Sequence, residues 1–595
     1  MTTNIPFLHP AWAFIALALA LPFLRGGWWR YLLLLPPLIA FWVVVTVPAG
    51  TYGVMSYLGQ TLLLGRVDRL SKVFGNVFAI QAFIGMLYAF HSRDKAHHGA
   101  ACFYVAGSFG SVFAGDYLTL FIFWEMMSVA SAFLVWLHRK PIATRAGLRY
   151  FLFHTLGGLF LLAGILLRYK AVGTFSFVHV VPEQARYFDW LILTGFCVNA
   201  AVVPLHAWLP DAYPEATVPG AVFMCAFTTK TAVYVLARGF AGFAVLAVAG
   251  TIMAVYGVLY AAIENNARRI LSYHIVSQVG YMVAGIGIGT ALTINGAVAH
   301  AYAHILYKGL LFMGAGCLLY AAGSARLDEL GGLVRRMPWV MILYMVGAVS
   351  ISGVPFFNGF ISKNMTILGA VEAHQRWIAL LLEVAAVGTF LSVGIKLPYF
   401  AFWAKPDNEA LKLKPIPANM YAAMAVAAGL CLTQGLHPQL LYRLLPYPVH
   451  YTPYTLWKVL QATLLLGFTG LGFYFLRQTI TPHAGRNLDF DALYRLIGNA
   501  LIFVFAKPLT ALDNVWSEAY RRLGLNGLMG TASGAWVFDR KGIDTMVDGT
   551  AHTVREAGRW ATRIETGRLQ DYLAWMILTA LLVFLLVLWF TNYWS

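Results

Sequence analysis

Apolar stretches long enough to cross a lipid bilayer recur along nearly the whole of this 595-residue chain. A spanning helix needs roughly 20 mostly apolar residues, and by that measure we count about 15 or 16 spans. Only 11% of the residues are charged, whereas soluble domains carry about 25%. The sequence therefore predicts an all-α, polytopic membrane protein rather than one soluble core. Clear examples are residues 31–47, 245–263 and 572–590.

Basic residues are concentrated in the short segments between the apolar stretches. The formal net charge of +17 would suggest nucleic acid as a partner of a soluble protein. Here the positions of Lys and Arg suit anionic lipid headgroups and membrane topology, so no nucleic-acid partner is expected. The odd-numbered loops are predicted to be cytoplasmic, although a second loop with Arg66, Arg69 and Lys72 breaks the pattern. The first apolar stretch lacks a signal-peptide pattern and is interpreted as a retained span.

The sequence predicts neither a cofactor nor a metal site. The five cysteines lie far apart inside apolar runs, which is typical of small buried hydrophobic residues. No Gly-rich phosphate loop follows a strand, and no cysteine cluster could hold iron–sulfur. A catalytic head is therefore not expected, and whether the chain contributes to an enzyme reaction stays open.

Three regions differ in composition. Residues 1–95 hold three spans, residues 96–405 hold nearly all the charges within apolar stretches, and residues 406–595 hold looser spans. The last region contains a basic, amphipathic segment at residues 538–569 before a final span. A helix along the membrane surface or a neighbouring subunit is predicted there, with a plain soluble linker as the alternative.

Two spans of the central region are interrupted by prolines, Pro204 and Pro355. A proline removes a backbone donor and clashes with the preceding turn, so each helix should break there. The freed backbone groups must then line protein or a wet cavity. Paired breaks about five spans apart indicate a transporter site built from two inverted five-helix repeats. Incidental kinks are the alternative.

Charged residues inside the apolar stretches mark the candidate site, because a charge at the bilayer centre costs about 2.5–3.5 kcal/mol. Glu125 is the only acid within its span, and Lys230 lies in another apolar run. A buried acid or lysine can change its charge state as protons arrive. Both are predicted to carry protons, while a fixed structural ion pair is the alternative for each.

His300, His304 and Lys308 recur at every fourth position, which places them on one face of a helix. A row of titratable groups suits a proton relay, since histidine both accepts and releases protons near neutral pH. A metal site is the weaker interpretation, because no acid follows nearby and the third group is a cation.

Lys363, directly after the second break, is predicted to be a terminal proton site. Lys396, with Glu383 thirteen residues before it, is a supporting candidate. Either lysine could instead extend its charge to the membrane interface. His154 and His274 are single polar groups for which a path role and a packing role both fit.

Taken in order, these motifs resemble the antiporter-like subunit family of Mrp-type cation/proton antiporters, respiratory complex I and membrane hydrogenases. The match covers roughly residues 70–405. The motifs are Phe121-Ile-Phe-Trp-Glu125, Pro204-Leu-His206-Ala-Trp208-Leu-Pro210-Asp211, Thr229-Lys230-Thr-Ala-Val-Tyr234, Arg268-Arg-Ile-Leu-Ser-Tyr273-His274, His300-Ala-Tyr-Ala-His304-Ile-Leu-Tyr-Lys308 and Gly353-Val-Pro355 with Lys363. The resemblance implies a bundle with two inverted repeats, other membrane subunits as partners, and supporting roles for His206 and Asp211.

One position departs from the pattern. Many relatives carry a lysine five residues before the signature proline, where this chain has Asn199. The resemblance implies that this lysine tunes the essential glutamate. Lys230, Arg149 or His154 could take its place, or this half of the path is altered and transport is weakened.

Three functions fit the resemblance. The first is a subunit of a multisubunit antiporter that exchanges a cation such as Na⁺ for protons. The second is a proton-pumping subunit of a complex I-type oxidoreductase or a membrane hydrogenase, driven by redox chemistry in its partners. The third is a membrane scaffold or the membrane half of an inorganic-carbon uptake complex. A bacterial or archaeal plasma (inner) membrane is the expected location, and the exchanged cation cannot be read from the sequence.

Overall fold

The computed structural model describes residues 8–57, 59–404, 412–482, 485 and 487–593. The chain forms two compact units, one up to Ala492 and one from Leu493 onward. The three-part division predicted from composition stays a prediction, and its boundary near residue 405 lies outside the described residues.

The N-terminal region contains a β-hairpin that the sequence analysis did not predict. Its strands pair antiparallel, Gly50 opposite Val67, and the Leu63 amide of the second strand donates to Asp116 Oδ2 at 2.7 Å. The prediction that Arg66, Arg69 and Lys72 form a loop is wrong, because these residues end the second strand and begin the helix that follows it. The elements are α1 (Pro10–Ala20), α2 (Trp29–Leu32), α3 (Leu35–Thr46), β1 (Gly50–Tyr57), β2 (Gln60–Val67) and α4 (Arg69–Ala89).

Two successive sets of helices follow, and each begins with two helices of about 20 residues and one of 32 residues. The first set is α5 (Lys95–Phe113), α6 (Tyr117–Trp136), α7 (Pro141–Val172), α8 (Tyr187–Asn199), α9 (Trp208–Ala212), α10 (Val218–Met224) and α11 (Thr228–Gly239). The second set is α12 (Ala244–Ile263), α13 (Ala267–Ile288), α14 (Ala291–Ala322), α15 (Pro338–Ser352), α16 (Asn358–Glu372) and α17 (Arg376–Thr389). α17 continues through two π-helical segments to Trp403.

Both predicted helix breaks are present. α8 ends at Asn199 and the chain resumes as α9 at Trp208, with Pro204 in the interval. α15 ends at Ser352 and α16 begins at Asn358, with Pro355 between them. Gly353 ends α15 with a φ of 76°, a left-handed conformation that glycine adopts without steric cost.

Three further helices complete the first unit, which also holds the first residues of α21. α18 packs against α4, α14 and α15, while most residues of α20 are exposed or half-buried. They are α18 (Ala418–Leu436), α19 (Gln439–Tyr442) and α20 (Leu456–Leu476).

The second unit is helical almost throughout, and none of the residues of α22 or α23 is buried. The amphipathic segment predicted at 538–569 is helical up to Thr562, so the alternative of a plain linker does not describe it. The helices from residue 490 onward are α21 (Phe490–Ala519), α22 (Gly527–Phe538), α23 (Asp544–Thr562) and α24 (Leu569–Tyr593).

The predicted fold class is confirmed. Eleven helical segments of the described ranges are long and apolar enough to cross a membrane. The larger number counted from the sequence included stretches that form shorter helices, such as α1 and α15. The chain is a multi-pass helical membrane protein.

Candidate proton path

Glu125 lies two turns into α6. Asp116 caps the start of this helix, because its side chain accepts a hydrogen bond from the Thr119 amide at 2.8 Å. The Glu125 Oε1 atom has no hydrogen-bond partner among the described residues. It points at α7, where a Cβ on Gly158 would lie 2.2 Å from it. A larger residue at 158 would therefore force the carboxylate to shift.

His154 lies one turn before Gly158 on α7 and is completely buried. Its Nδ1 is 3.0 Å from Oδ1 of Asn199, the last residue of α8. The rings of Tyr150 and Trp208 pack on the imidazole at centroid distances of 4.1 and 4.5 Å. The first helix break thus holds the histidine in one position.

Two of the three bases suggested as partners of Glu125 are bound elsewhere. Arg149 donates to Asp211 at 2.6 Å, so its assignment to Glu125 is wrong. Lys230 Nζ donates to the Cys225 carbonyl at 2.6 Å. In the described part of the chain, no basic nitrogen lies within 4.0 Å of the Glu125 carboxylate.

Three lysines bind the carbonyl ends of helices. Lys230 reaches Cys225 at the end of α10, and Lys363 Nζ donates to Ile351 O at 2.7 Å, at the end of α15. The last four carbonyls of a helix lack partners within the helix, and the helix dipole favours a cation there. Helix ends therefore supply the sites that hold Lys230 and Lys363 in the apolar interior.

Lys396 follows the same rule. Its Nζ donates to the carbonyls of Ala262 and Glu264, at 2.7 and 2.8 Å, at the end of α12. The side chain is 2% exposed, so the alternative in which it extends to the membrane interface is wrong.

The row on α14 is different. His300 Nδ1 lies 3.1 Å from Ser362 Oγ and its Nε2 lies 3.2 Å from Gln278 Oε1. Both ring nitrogens of His304 and the Nζ of Lys308 have no hydrogen-bond partner among the described residues. Lys230 on α11 and Lys363 on α16 both interact electrostatically with these histidines. The row is therefore within electrostatic range of both Lys230 and Lys363.

A cavity of about 220 Å³ adjoins Lys363. Its lining includes the buried Lys363, the partly exposed Glu383 and the exposed Trp457. Gln461 of α20 donates to Glu383 Oε1 at 3.1 Å. The cavity therefore brings Lys363 and Glu383 to one space, which their separation in sequence did not reveal.

A second polar cluster forms around Asp489, just before α21. Its Oδ1 accepts a hydrogen bond from Tyr256 and lies 3.4 Å from His206 Nε2, and Tyr273 donates to Oδ2 at 2.6 Å. Burial alone would raise the pKa of Asp489, but these groups hold the charged form, and the pKa lies below its usual range. His206 thus contacts an acid more than 200 residues away in the chain. Because no local sequence pattern links the two residues, Asp489 was not predicted from the sequence.

His274 Nε2 lies 2.6 Å from Ser392 Oγ, where α17 passes into its π-helical turns. Its Nδ1 has no hydrogen-bond partner among the described residues. Within the same ranges, no three His, Cys, Asp or Glu side chains come together as metal ligands would.

Comparison with known proteins identifies the family of this chain. A family model described as NADH:quinone oxidoreductase/Mrp antiporter, transmembrane part, matches residues 114–391. A Na⁺/H⁺ antiporter subunit of Alkalihalophilus pseudofirmus is 32% identical over 355 residues, which are 56% of this chain and 71% of that protein. The chain belongs to the NADH:quinone oxidoreductase/Mrp antiporter family. The family match covers every residue of the candidate path, from Glu125 to Glu383.

Two further relatives mark how far the family likeness extends. An uncharacterized protein of Mycobacterium tuberculosis is 33% identical over 401 residues, and the match spans 60% of each protein. A chain of the Mrp complex from a Dietzia species has the same fold, with a TM-score of 0.62, 22% identity, and coverage of 78% of this chain and 94% of that one. Lys396 and Asp489 lie beyond the residues that the family model matches.

Proposed function

We propose that this chain is a membrane subunit of a multisubunit cation/proton antiporter and conducts protons between the two helix breaks. The path consists of six buried or partly buried groups and ends at the cavity shared with Glu383. In order they are Glu125, Lys230, His304, Lys308, His300 and Lys363.

The arrangement of bases on α14 carries this proposal. His304 and Lys308 lie in the interior without a hydrogen-bond partner in the described ranges, and no carboxylate lies within 4.0 Å of Lys308 there. Buried polar groups are normally paired, and intramembrane ionisable groups mark ion pathways. A purely structural role would call for fixed partners, which Lys396 has and Lys308 does not.

Na⁺ is the proposed exchanged ion, because the relative from Alkalihalophilus pseudofirmus is named as part of a Na⁺/H⁺ antiporter. The proposed partners are other membrane subunits in a plasma (inner) membrane. A redox-driven proton pump is the second candidate, favoured by the helical run from Phe490 to Thr562 and the final span α24.

Membrane vesicles that contain the whole complex separate these functions. Na⁺ added to vesicles with an imposed pH gradient should collapse the gradient, as followed with a pH-sensitive dye. Glu125→Ala and Lys230→Ala should each abolish the response, since a positioned proton donor or acceptor contributes about 10²–10⁴-fold to a proton-transfer rate. Flux that requires an added electron donor would support the redox pump, and wild-type flux in both variants would exclude the path.

A further inference from the structure

The two 32-residue helices, α7 and α14, correspond residue by residue. α14 begins 150 residues after α7, and each ends at a glycine with a positive φ. The preceding helices, α6 and α13, each follow a residue that forms an isolated β-bridge. Every marker of the second set lies 150 positions after its counterpart: Asp116 and Asn266, Ser176 and Arg326, Gly173 and Gly323.

This register aligns the relay helix with α7. His304 corresponds to His154, and Lys308 corresponds to Gly158. The second repeat therefore presents a histidine and a lysine one turn apart. The first repeat presents a histidine and, in the space at Gly158, the carboxylate of Glu125 from the neighbouring helix.

We propose that His154 is the proton-accepting partner of Glu125 and that Asn199 is a positioning residue that orients its ring. The inference rests on the proposed function and assigns the role of one group within it. A side chain at 158 would lean toward the turn that holds residue 154, so the carboxylate that occupies this space lies on the same face of α7 as the imidazole.

The hydrogen bond to Asn199 determines which ring nitrogen is available. An amide oxygen can only accept, so Nδ1 of His154 carries the hydrogen and Nε2 of the neutral ring is the acceptor. Neither Nε2 nor Glu125 Oε1 has a hydrogen-bond partner among the described residues. No basic nitrogen lies within 4.0 Å of the Glu125 carboxylate in the described ranges, so the transfer runs through one bridging water. The O–H bond of protonated Glu125 breaks as the water accepts that proton, and the water gives another proton to Nε2, which leaves a carboxylate, the water and an imidazolium.

The other bases near this half do not compete for the role. Arg149 is paired with Asp211, and Lys230 is held by a helix carbonyl. His154 is the remaining one of the three bases considered for Glu125, and the tight packing of Tyr150 and Trp208 fixes it in place.

Three variants of the full chain, assayed as whole complex in membrane vesicles, test the assignment. His154→Gln keeps a polar side chain but cannot carry a proton, and Na⁺-driven proton flux should fall at least tenfold. Adding Asn199→Lys to that variant places a new titratable base beside Glu125 and should restore most of the flux. His97→Gln, at an equally buried histidine outside the path, is the matched control and should retain wild-type flux.

Asn199 is tested by its acceptor oxygen. Asn199→Asp keeps the acceptor and should retain flux, while Asn199→Leu, of similar size, should lower it several-fold with the complex still assembled. Assembly is checked by size-exclusion chromatography of the solubilised complex.

Wild-type flux in His154→Gln would overturn the assignment, and so would a loss that Asn199→Lys does not restore in an assembled complex. If His154→Gln fails to assemble, the double variant and the Asn199 pair decide the matter: a double variant without flux, or equal flux in Asn199→Asp and Asn199→Leu, overturns it. Glu125→Ala and Lys308→Ala are measured in parallel. Flux retained in these as well would exclude the proposed function, whereas flux retained only in His154→Gln would exclude this inference alone.

Discussion

The two repeats of the membrane core use one scaffold for opposite charges. α14 carries its own base at Lys308, whereas α7 has Gly158 at the corresponding place and receives a carboxylate from α6. At these corresponding places the first half therefore presents an acid and the second a base. In a path built from two unlike halves, the acid can hold a proton at one end while a base at the other end is free to accept one.

Helix breaks serve the two halves in different ways. In the second repeat the broken helix supplies the Ile351 carbonyl that holds Lys363. In the first repeat the helix ends at Asn199, whose side chain holds His154. The same interruption therefore fixes a cation in one repeat and orients a neutral ring in the other.

The largest difference is expected between Lys363 and Lys396, which both bind helix carbonyls. Only Lys363 lines the cavity with Glu383, so Lys363→Met should reduce Na⁺-driven proton flux at least tenfold. Lys396→Met should leave flux within about twofold and lower the melting temperature of the complex, because each hydrogen bond to a charged group contributes about 1.5–3 kcal/mol. An equal loss of flux in both variants would place Lys396 on the path.

A smaller effect is expected from the glycine that distinguishes α7 from α14. Gly158→Ala would put a Cβ 2.2 Å from Glu125 Oε1, so the carboxylate must shift and flux should fall several-fold, as measured in the same vesicles. Gly429→Ala, where no atom lies within 4 Å of the added Cβ, should not change flux. Unchanged flux in Gly158→Ala would show that the position of the carboxylate is not restricted.

The smallest effect is expected at Asp489, which lies outside both repeats. Its lowered pKa means that the charged form stabilises the folded arrangement fully above the usual value of about 4, and that this stability is lost as pH falls toward the folded-state value. Asp489→Asn at neutral pH should therefore increase hydrogen exchange at residues 487–492 with little change in flux. Exchange equal to that of the wild-type chain would contradict this.

The comparison also shows what the sequence could predict. The breaks at Pro204 and Pro355 and the row on α14 have local signatures, because a proline or a charge within an apolar run is costly wherever it lies. The carbonyls that hold Lys396 are more than 130 residues away in the chain, and Asp489 is as far from Tyr256 and Tyr273. Such partners leave no local pattern. The β-hairpin was missed because its strands lie between spans, and because Arg66 in the second strand and the basic residues after it are typical of a loop.

Proton flux in vesicles with Glu125→Gln and, separately, Lys308→Gln tests most directly whether both unlike halves form one path. Both changes keep a polar side chain and remove the titratable group. The proposed path predicts that in each variant alone, with the complex assembled, the Na⁺-driven proton flux falls at least tenfold. Wild-type flux in either variant would contradict it.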